Sequence, residues 1–251
     1  MEFWLASYPR SGNSYFRILL RNRYDIPSID QECPEELETA TLRGTRFVRA
    51  HYCNPNAAPP VMGLKTHKPP VPGDTKPAVY IVRDGRDALV SYAHFALASV
   101  YANSTEAVTP EVLRNTIRDM ILEPNSPYWT WSKNVDAWAA RKNTVVIHFE
   151  DLITNPGRAA DRAVAGMALG VSMVSKEIPT FKELKSVDPQ FFRKGQKGEW
   201  QEVFTADLYD LFWEHNGATM TRFGYSHLPP MRPVVTVPAS VPAAVPTPAA
   251  A

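Results

Sequence analysis

Four short apolar runs constrain this chain more than any other feature: Phe3 to Ser7, Val61 to Thr66, Val79 to Val82 and Val145 to Phe149. Each is only a few residues long and carries few charges. Such runs read as parallel strands covered on both faces. Between them lie stretches of helical character that begin near Ser14, Asp87, Thr109, Ser132, Arg158 and Ala206. Strands alternating with helices predict an α/β fold, a single domain with a central parallel β-sheet flanked by helices. In that architecture the binding loops lie at the C-terminal ends of the strands. The segment Asp25 to Asn56 has weak periodicity and several turn residues, and reads as irregular chain or small helices beside the sheet.

The chain has 251 residues, 44% of them apolar, enough for one sizeable core. The domain is expected to span residues 1–228. From Pro229 to Ala251 there are seven prolines, many alanines and one charge, Arg232. That composition cannot bury enough apolar surface to offset ordering, so a disordered tail is expected over 229–251. The formal charge of +1 implies no general attraction to nucleic acid, and any anion site must come from local arrangement. Two cysteines, Cys33 and Cys53, read as free thiols in a reducing compartment. With no apolar run of membrane-spanning length and no signal-peptide pattern, a cytoplasmic enzyme without a membrane span is expected.

The loop after the first run is Tyr8-Pro9-Arg10-Ser11-Gly12-Asn13-Ser14, and Tyr15 opens the helical stretch beyond it. A strand, a tight loop and a helix start aim successive backbone N–H groups, a cation and small polar side chains at one spot. Such a spot holds a phosphate or sulfate group. The nucleotide-loop pattern G-x-x-x-x-G-K-[ST] is absent, since Asn13 and Ser14 follow Gly12 and the cation precedes it. Taken alone, such a loop is more often a plain turn.

Three further segments bear on it. Lys65-Thr66-His67 ends the second run, and a Lys and a His two apart on a strand point to the same side. Arg83-Asp84-Gly85-Arg86-Asp87 follows the third run and leads to Ser91; Arg83 and Ser91 suit a phosphate, as a forked cation and a hydroxyl. The carboxylates Asp84 and Asp87 read instead as ion-pair partners that hold the turn. Arg193-Lys194-Gly195-Gln196-Lys197-Gly198-Glu199-Trp200 can close on an anion with backbone and side chains together, or be a solvated basic loop.

As a set these segments resemble the PAPS-dependent sulfotransferases of the cytosolic type. Tyr8 to Ser14 resembles that family's P-loop-like 5′-phosphosulfate-binding loop. Arg83 to Ser91 resembles the segment that holds the 3′-phosphate. Arg193 to Trp200 is similar to the R-K-G-x-x-G-x-W motif, and Phe149-Glu150-Asp151-Leu152 to Y-E-D-L. Lys65-Thr66-His67 resembles the strand that carries the catalytic base. The likeness runs from about Phe3 to Tyr225. It departs at Arg10, where the family usually has Lys, and at Phe149, where it often has Tyr. The family's C-terminal dimerisation motif is not evident after Trp200; an oligomer is possible, but that dimer mode is not carried over.

The resemblance implies a sulfuryl transfer from PAPS to an acceptor hydroxyl, in preference to an amine, releasing PAP. It implies His67 as general base, with Lys65 and Arg10 stabilising charge on the leaving oxygen. Arg10, Ser11, Gly12, Asn13, Ser14 and Tyr15 would hold the 5′-phosphosulfate; Arg83, Ser91, Arg193, Lys194 and Gly195 would hold the 3′-phosphate. The scheme needs no metal, and no H-x-x-x-H or C-x-x-C pair is found. The acceptor, a small molecule or a carbohydrate, would lie beside His67, bounded by the segment near Cys33 to Asn56 and by Phe95, Tyr101, Tyr128 and Trp129. Trp131 and Trp138 read as core. Two other classes compete. A P-loop kinase would need Gly-Lys-Ser/Thr, which is missing. A module that only senses PAP could dispense with the Lys65–His67 pair.

Overall fold

A computed structural model describes residues 1–32, 60–102, 104, 107–123, 125–187 and 197–227. Five parallel strands form one sheet in the order β2-β3-β1-β4-β5. They are β1 (Glu2–Ser7), β2 (Ser28–Asp30), β3 (Met62–Thr66), β4 (Ala78–Val82) and β5 (Thr144–His148). Helices fill the connections: α1 (Asn13–Tyr24), α2 (Gly85–Val100), α3 (Pro110–Leu122), α4 (Trp131–Ala139), α5 (Phe149–Thr154), α6 (Pro156–Gly166), α7 (Phe181–Val187), α8 (Trp200–Val203) and α9 (Ala206–Arg222). The expected α/β sheet is therefore present, and the four expected strands match within a residue. Phe149 is the exception: it opens α5 instead of ending β5.

Both sheet faces are apolar because each strand sends alternate side chains to opposite helix layers. Phe3, Leu5, Val79 and Ile81 pack with Phe16 and Leu20 of α1 and Ala160 of α6. Ala6, Ala78, Tyr80 and Val82 pack with Leu89 of α2, Trp131 and Trp138 of α4 and Phe212 of α9. Trp131 and Trp138 are core, as expected, each 1% exposed. β2 was not expected, since its region reads as irregular. It is three residues long and follows Pro27; it pairs only with β3, at the sheet edge, so it carries no periodic signal of its own.

The strand order positions the site. The chain fills β2 and β3 on one side of β1, then moves to β4 on the other. The loops leaving β1 and β4 diverge there, opening a crevice at the C-terminal edge of the sheet. Tyr8 to Gly12, His67 and Arg83 all lie at that edge.

Candidate active site

The loop from Tyr8 to Gly12 turns because Gly12 adopts φ 95°, a left-handed conformation that glycine accepts without a Cβ penalty. A Cβ there would also sit 2.7 Å from the Phe149 ring. Arg10 takes φ 63° without being glycine. The first hydrogen bond of α1 runs from Phe16 N to Gly12 O, 3.1 Å, so the N–H groups before it project from the helix end toward the crevice. Ser11 is fully buried, and its Oγ has no hydrogen-bond partner among the described residues. An orphaned buried hydroxyl beside a helix N-terminus is a place built for an anion oxygen.

Two loop residues are used differently from a simple cradle. The Asn13 amide turns inward and donates to Leu5 O at 2.9 Å and to Ser7 Oγ at 3.3 Å, tying α1 to β1. The Tyr15 hydroxyl donates to Pro179 O at 3.4 Å, and burial pushes it up to about 12. Arg10 reaches across the crevice to α2, where its Nε donates to Ser91 Oγ at 3.4 Å and its guanidinium lies 5.0 Å from the Phe95 ring centre.

On the other side of the crevice stands His67. Its Nδ1 lies 2.8 Å from the Ser7 carbonyl oxygen, which can only accept. Nδ1 therefore carries the hydrogen and Nε2 keeps its lone pair. Burial, and then the nearby Lys65 ammonium, lower the imidazole to about 4, so it is neutral at ordinary pH. The Asn134 amide, fully buried, donates to His67 O at 2.9 Å and to Tyr128 O at 2.8 Å, and accepts from the Tyr80 hydroxyl at 2.8 Å. Lys65 is buried, and its Nζ lies 3.0 Å from Asp30 and 2.5 Å from Glu32. Both carboxylates come from β2 and the chain just beyond it.

Arg83 closes the third side. Its Nη1 donates to Arg10 O at 2.9 Å, and its guanidinium stacks 4.5 Å above Phe149. Burial lowers its pKa, opposed by the carboxylates of Asp87 and Glu150. Asp84 caps α2 and grips Arg86 at 2.7 Å, holding the turn as expected. Asp87 does more than offset Arg83. It accepts from Gly198 N at 2.7 Å and Trp200 N at 3.1 Å, pinning the end of the basic loop onto α2. Arg86 stacks 4.0 Å over Trp200. Arg193, Lys194 and Gly195 lie outside the described residues, as do Cys33, Cys53 and the tail.

Of the aromatic residues expected beside His67, Tyr128 meets it edge-on with ring centres 5.9 Å apart. Tyr128 also meets Tyr92, which meets Tyr8 of the loop, so a row of rings joins the base to the cradle. Phe95, 49% exposed, also lies under Arg10. Trp129 is 39% exposed at φ 61°, and Tyr101 packs at the edge of the α2–α3 core. Ser7, Asp30, Glu32 and Asn134 are site residues that the sequence reading missed. Asn134 left a trace, as a polar residue on the buried stripe of α4. Asp30 and Glu32 left none. Among the described residues no group of three His, Cys, Asp or Glu side chains is placed to hold a metal, and no helix is long and apolar enough to cross a membrane.

The crevice thus presents a buried Arg83, a partly buried Arg10, an orphaned hydroxyl and a helix N-terminus at one end, and a neutral imidazole at the other. These residues fit a doubly anionic donor. Comparison with known proteins agrees. The family model described as "Sulfotransferase domain" matches residues 1–165. Cytosolic sulfotransferase 1 of Danio rerio is 24% identical, over 85% of this chain and 80% of its own. Sulfotransferase 1A1 of Rattus norvegicus is 22% identical, over 88% and 84%. The solved structure of mouse sulfotransferase SULT7A1 with PAP superposes with a TM-score of 0.61 at 21% identity, covering 88% of this chain and 87% of that one. Retinol dehydratase with androsterone and PAP gives 0.57 at 19% identity, covering 90% and 82%. This chain belongs to the sulfotransferase domain family and is an enzyme of the PAPS-dependent, cytosolic type.

Proposed function

We propose that the protein moves the sulfuryl group of PAPS onto a hydroxyl of a small-molecule or carbohydrate acceptor, with His67 Nε2 taking the hydroxyl proton. The observation that carries this is the 2.8 Å bond from His67 Nδ1 to Ser7 O, which leaves Nε2 as the acceptor on a neutral ring. General-base assistance of this kind is worth roughly a hundredfold to ten-thousandfold. The Ser11 hydroxyl, the Gly12 turn and the N–H groups of Asn13, Ser14 and Tyr15 would receive the 5′-phosphosulfate. Arg83 and Ser91, with Arg193, Lys194 and Gly195, would hold the 3′-phosphate. Asp87 supports the last three by fixing the end of their loop at Gly198 and Trp200.

Charge stabilisation is shared unequally in this reading. Lys65 faces two carboxylates, so its field at the leaving oxygen is partly offset. Arg10 carries the larger part, held over Phe95 and Ser91. Protein cations serve here, and a metal is not part of the scheme. Tyr128, Tyr101, Trp129 and the outer face of Phe95 would border the acceptor. An apolar small molecule suits those rings, and the androsterone held by the related retinol dehydratase supports that class. A cytoplasmic setting belongs to the same proposal, supported by the relatives' names.

The test is a screen of phenols, alcohols, amines and oligosaccharides with radiolabelled PAPS and no added metal. Transfer to at least one hydroxyl class is expected. A phosphorylated acceptor formed from ATP and magnesium, with no transfer from PAPS, would point to a kinase. Tight PAP binding with no transfer to any of the four classes would point to a sensing module.

A further inference from the structure

Glu32 touches three parts of the β3 exit with one carboxylate. Its Oε2 meets Lys65 Nζ at 2.5 Å. Its Oε1 accepts from the His67 backbone N–H at 2.5 Å and from Thr66 Oγ1 at 3.1 Å. The carboxylate is itself held in place. Gln31 N donates to Lys65 O at 3.0 Å, and Glu32 N donates to Asp30 Oδ1 at 3.0 Å, so the turn after β2 aims the side chain at β3. Burial disfavours the charge on Glu32. The His67 peptide N–H and the Lys65 ammonium outweigh that and hold the carboxyl below its ordinary range.

This arrangement has a cost for an enzyme that binds an anionic donor. Asp30 already offsets Lys65, and a second buried carboxylate leaves the three-residue cluster with excess negative charge. A carboxylate whose sole job was to neutralise Lys65 would be redundant. What Asp30 does not do is reach His67. The His67 residue is gripped at three atoms by three elements: Nδ1 by β1 through Ser7 O, the carbonyl by α4 through Asn134, and the N–H by Glu32. Without Glu32 the N-terminal side of that grip is open.

We infer that Glu32 is a positioning residue, which fixes the imidazole of His67 and the ammonium of Lys65 relative to each other across the crevice. This rests on the sulfuryl-transfer reading above. A group held about 1 Å out of place can lose on the order of a hundredfold in rate.

The experiment uses the full chain with radiolabelled PAPS and a hydroxyl acceptor found in the screen, comparing wild type, Glu32→Ala and Glu32→Gln, with PAP affinity measured by calorimetry. Glu32→Ala should lower kcat about tenfold to a hundredfold, while the Kd for PAP stays within about threefold, under 1 kcal/mol. Glu32→Gln keeps an acceptor for His67 N–H and Thr66, so it should recover most of the lost kcat. Wild-type kcat in Glu32→Ala overturns the inference. So does a parallel loss of kcat and PAP affinity, which would mark general loosening, and so does a Gln variant no better than Ala. If wild type itself transfers nothing, the underlying reading fails rather than the role of Glu32 alone.

Discussion

The two ends of the crevice are built in different ways. The anion cradle comes from one continuous piece of chain, Tyr8 to Tyr15, with Arg83 and Ser91 added from the next loop and helix across β1. Its main groups are backbone N–H, a left-handed Gly12 and one orphaned hydroxyl. The base end is assembled from four distant places: Ser7 on β1, Glu32 after β2, Lys65 and His67 at β3, and Asn134 on α4. The cradle is a local conformation, whereas the base is held by a network. Under the proposed function the difference separates binding from turnover, so variants at each end should be distinguishable.

The largest effect is expected at the base. His67→Ala should lower kcat at least about a hundredfold, while PAP affinity is kept, because none of the cradle contacts involves His67. Equal losses of kcat and PAP affinity would break the comparison. The same residue sets the acid limb. The working form is the neutral imidazole, whose folded value is about 4, below its ordinary value. kcat/KM should therefore hold down to mildly acidic pH and fall only as pH approaches that value. Stability behaves differently: the unfolded chain binds a proton that the folded imidazole refuses, so this residue's contribution is complete at neutral pH and is lost as pH falls from about 6.5. A limb near the ordinary histidine value would show that the ring is not buried and paired as described.

A smaller effect of opposite kind is expected at the cradle. Gly12→Ala places a Cβ at 2.7 Å from Phe149 and forces alanine to φ 95°. It should cost about 2–3 kcal/mol of stability, and PAP affinity should fall more than kcat at saturating donor. Thermal unfolding together with PAP calorimetry measures both. Unchanged Tm and Kd would mean that the loop does not need its glycine. The smallest change is Arg10→Lys. It keeps the charge and gives up the Nε bond to Ser91 and the guanidinium contact with the Phe95 ring. A shift of up to about tenfold in PAPS KM is expected, the size of one modest charged contact, with kcat nearly unchanged. A large fall in kcat would show that the shape of the guanidinium, and not its charge alone, stabilises the leaving oxygen.

How much of this was legible in the sequence follows the same division. The strands around Leu5, Leu64, Tyr80 and Ile147 were readable because a strand covered on both faces must be apolar throughout. The Gly12 turn was readable because a tight loop between strand and helix restricts residue types. The roles of Asp84 and Arg86, two apart on one turn, were readable for the same reason of locality. Asp87 was read as an ion-pair partner; its charge does act on Arg83, and it also serves backbone N–H groups more than a hundred residues away. Phe95 was placed at the acceptor; that its ring also lies under Arg10 had no local signal.

By itself, then, the sequence determined the layered α/β architecture, the anion loop and the identity of the residues at three strand exits, since these depend on periodicity and short-range turn chemistry. Only the tertiary structure decided which ring nitrogen of His67 bonds Ser7 O, that Lys65 is shared by two carboxylates, and that Glu32 and Asn134 hold the His67 backbone. Those facts depend on the parallel pairing of β2, β3 and β1 and on the packing of α4. That pairing sets side chains from four segments within hydrogen-bond distance, and no local pattern in the chain encodes it.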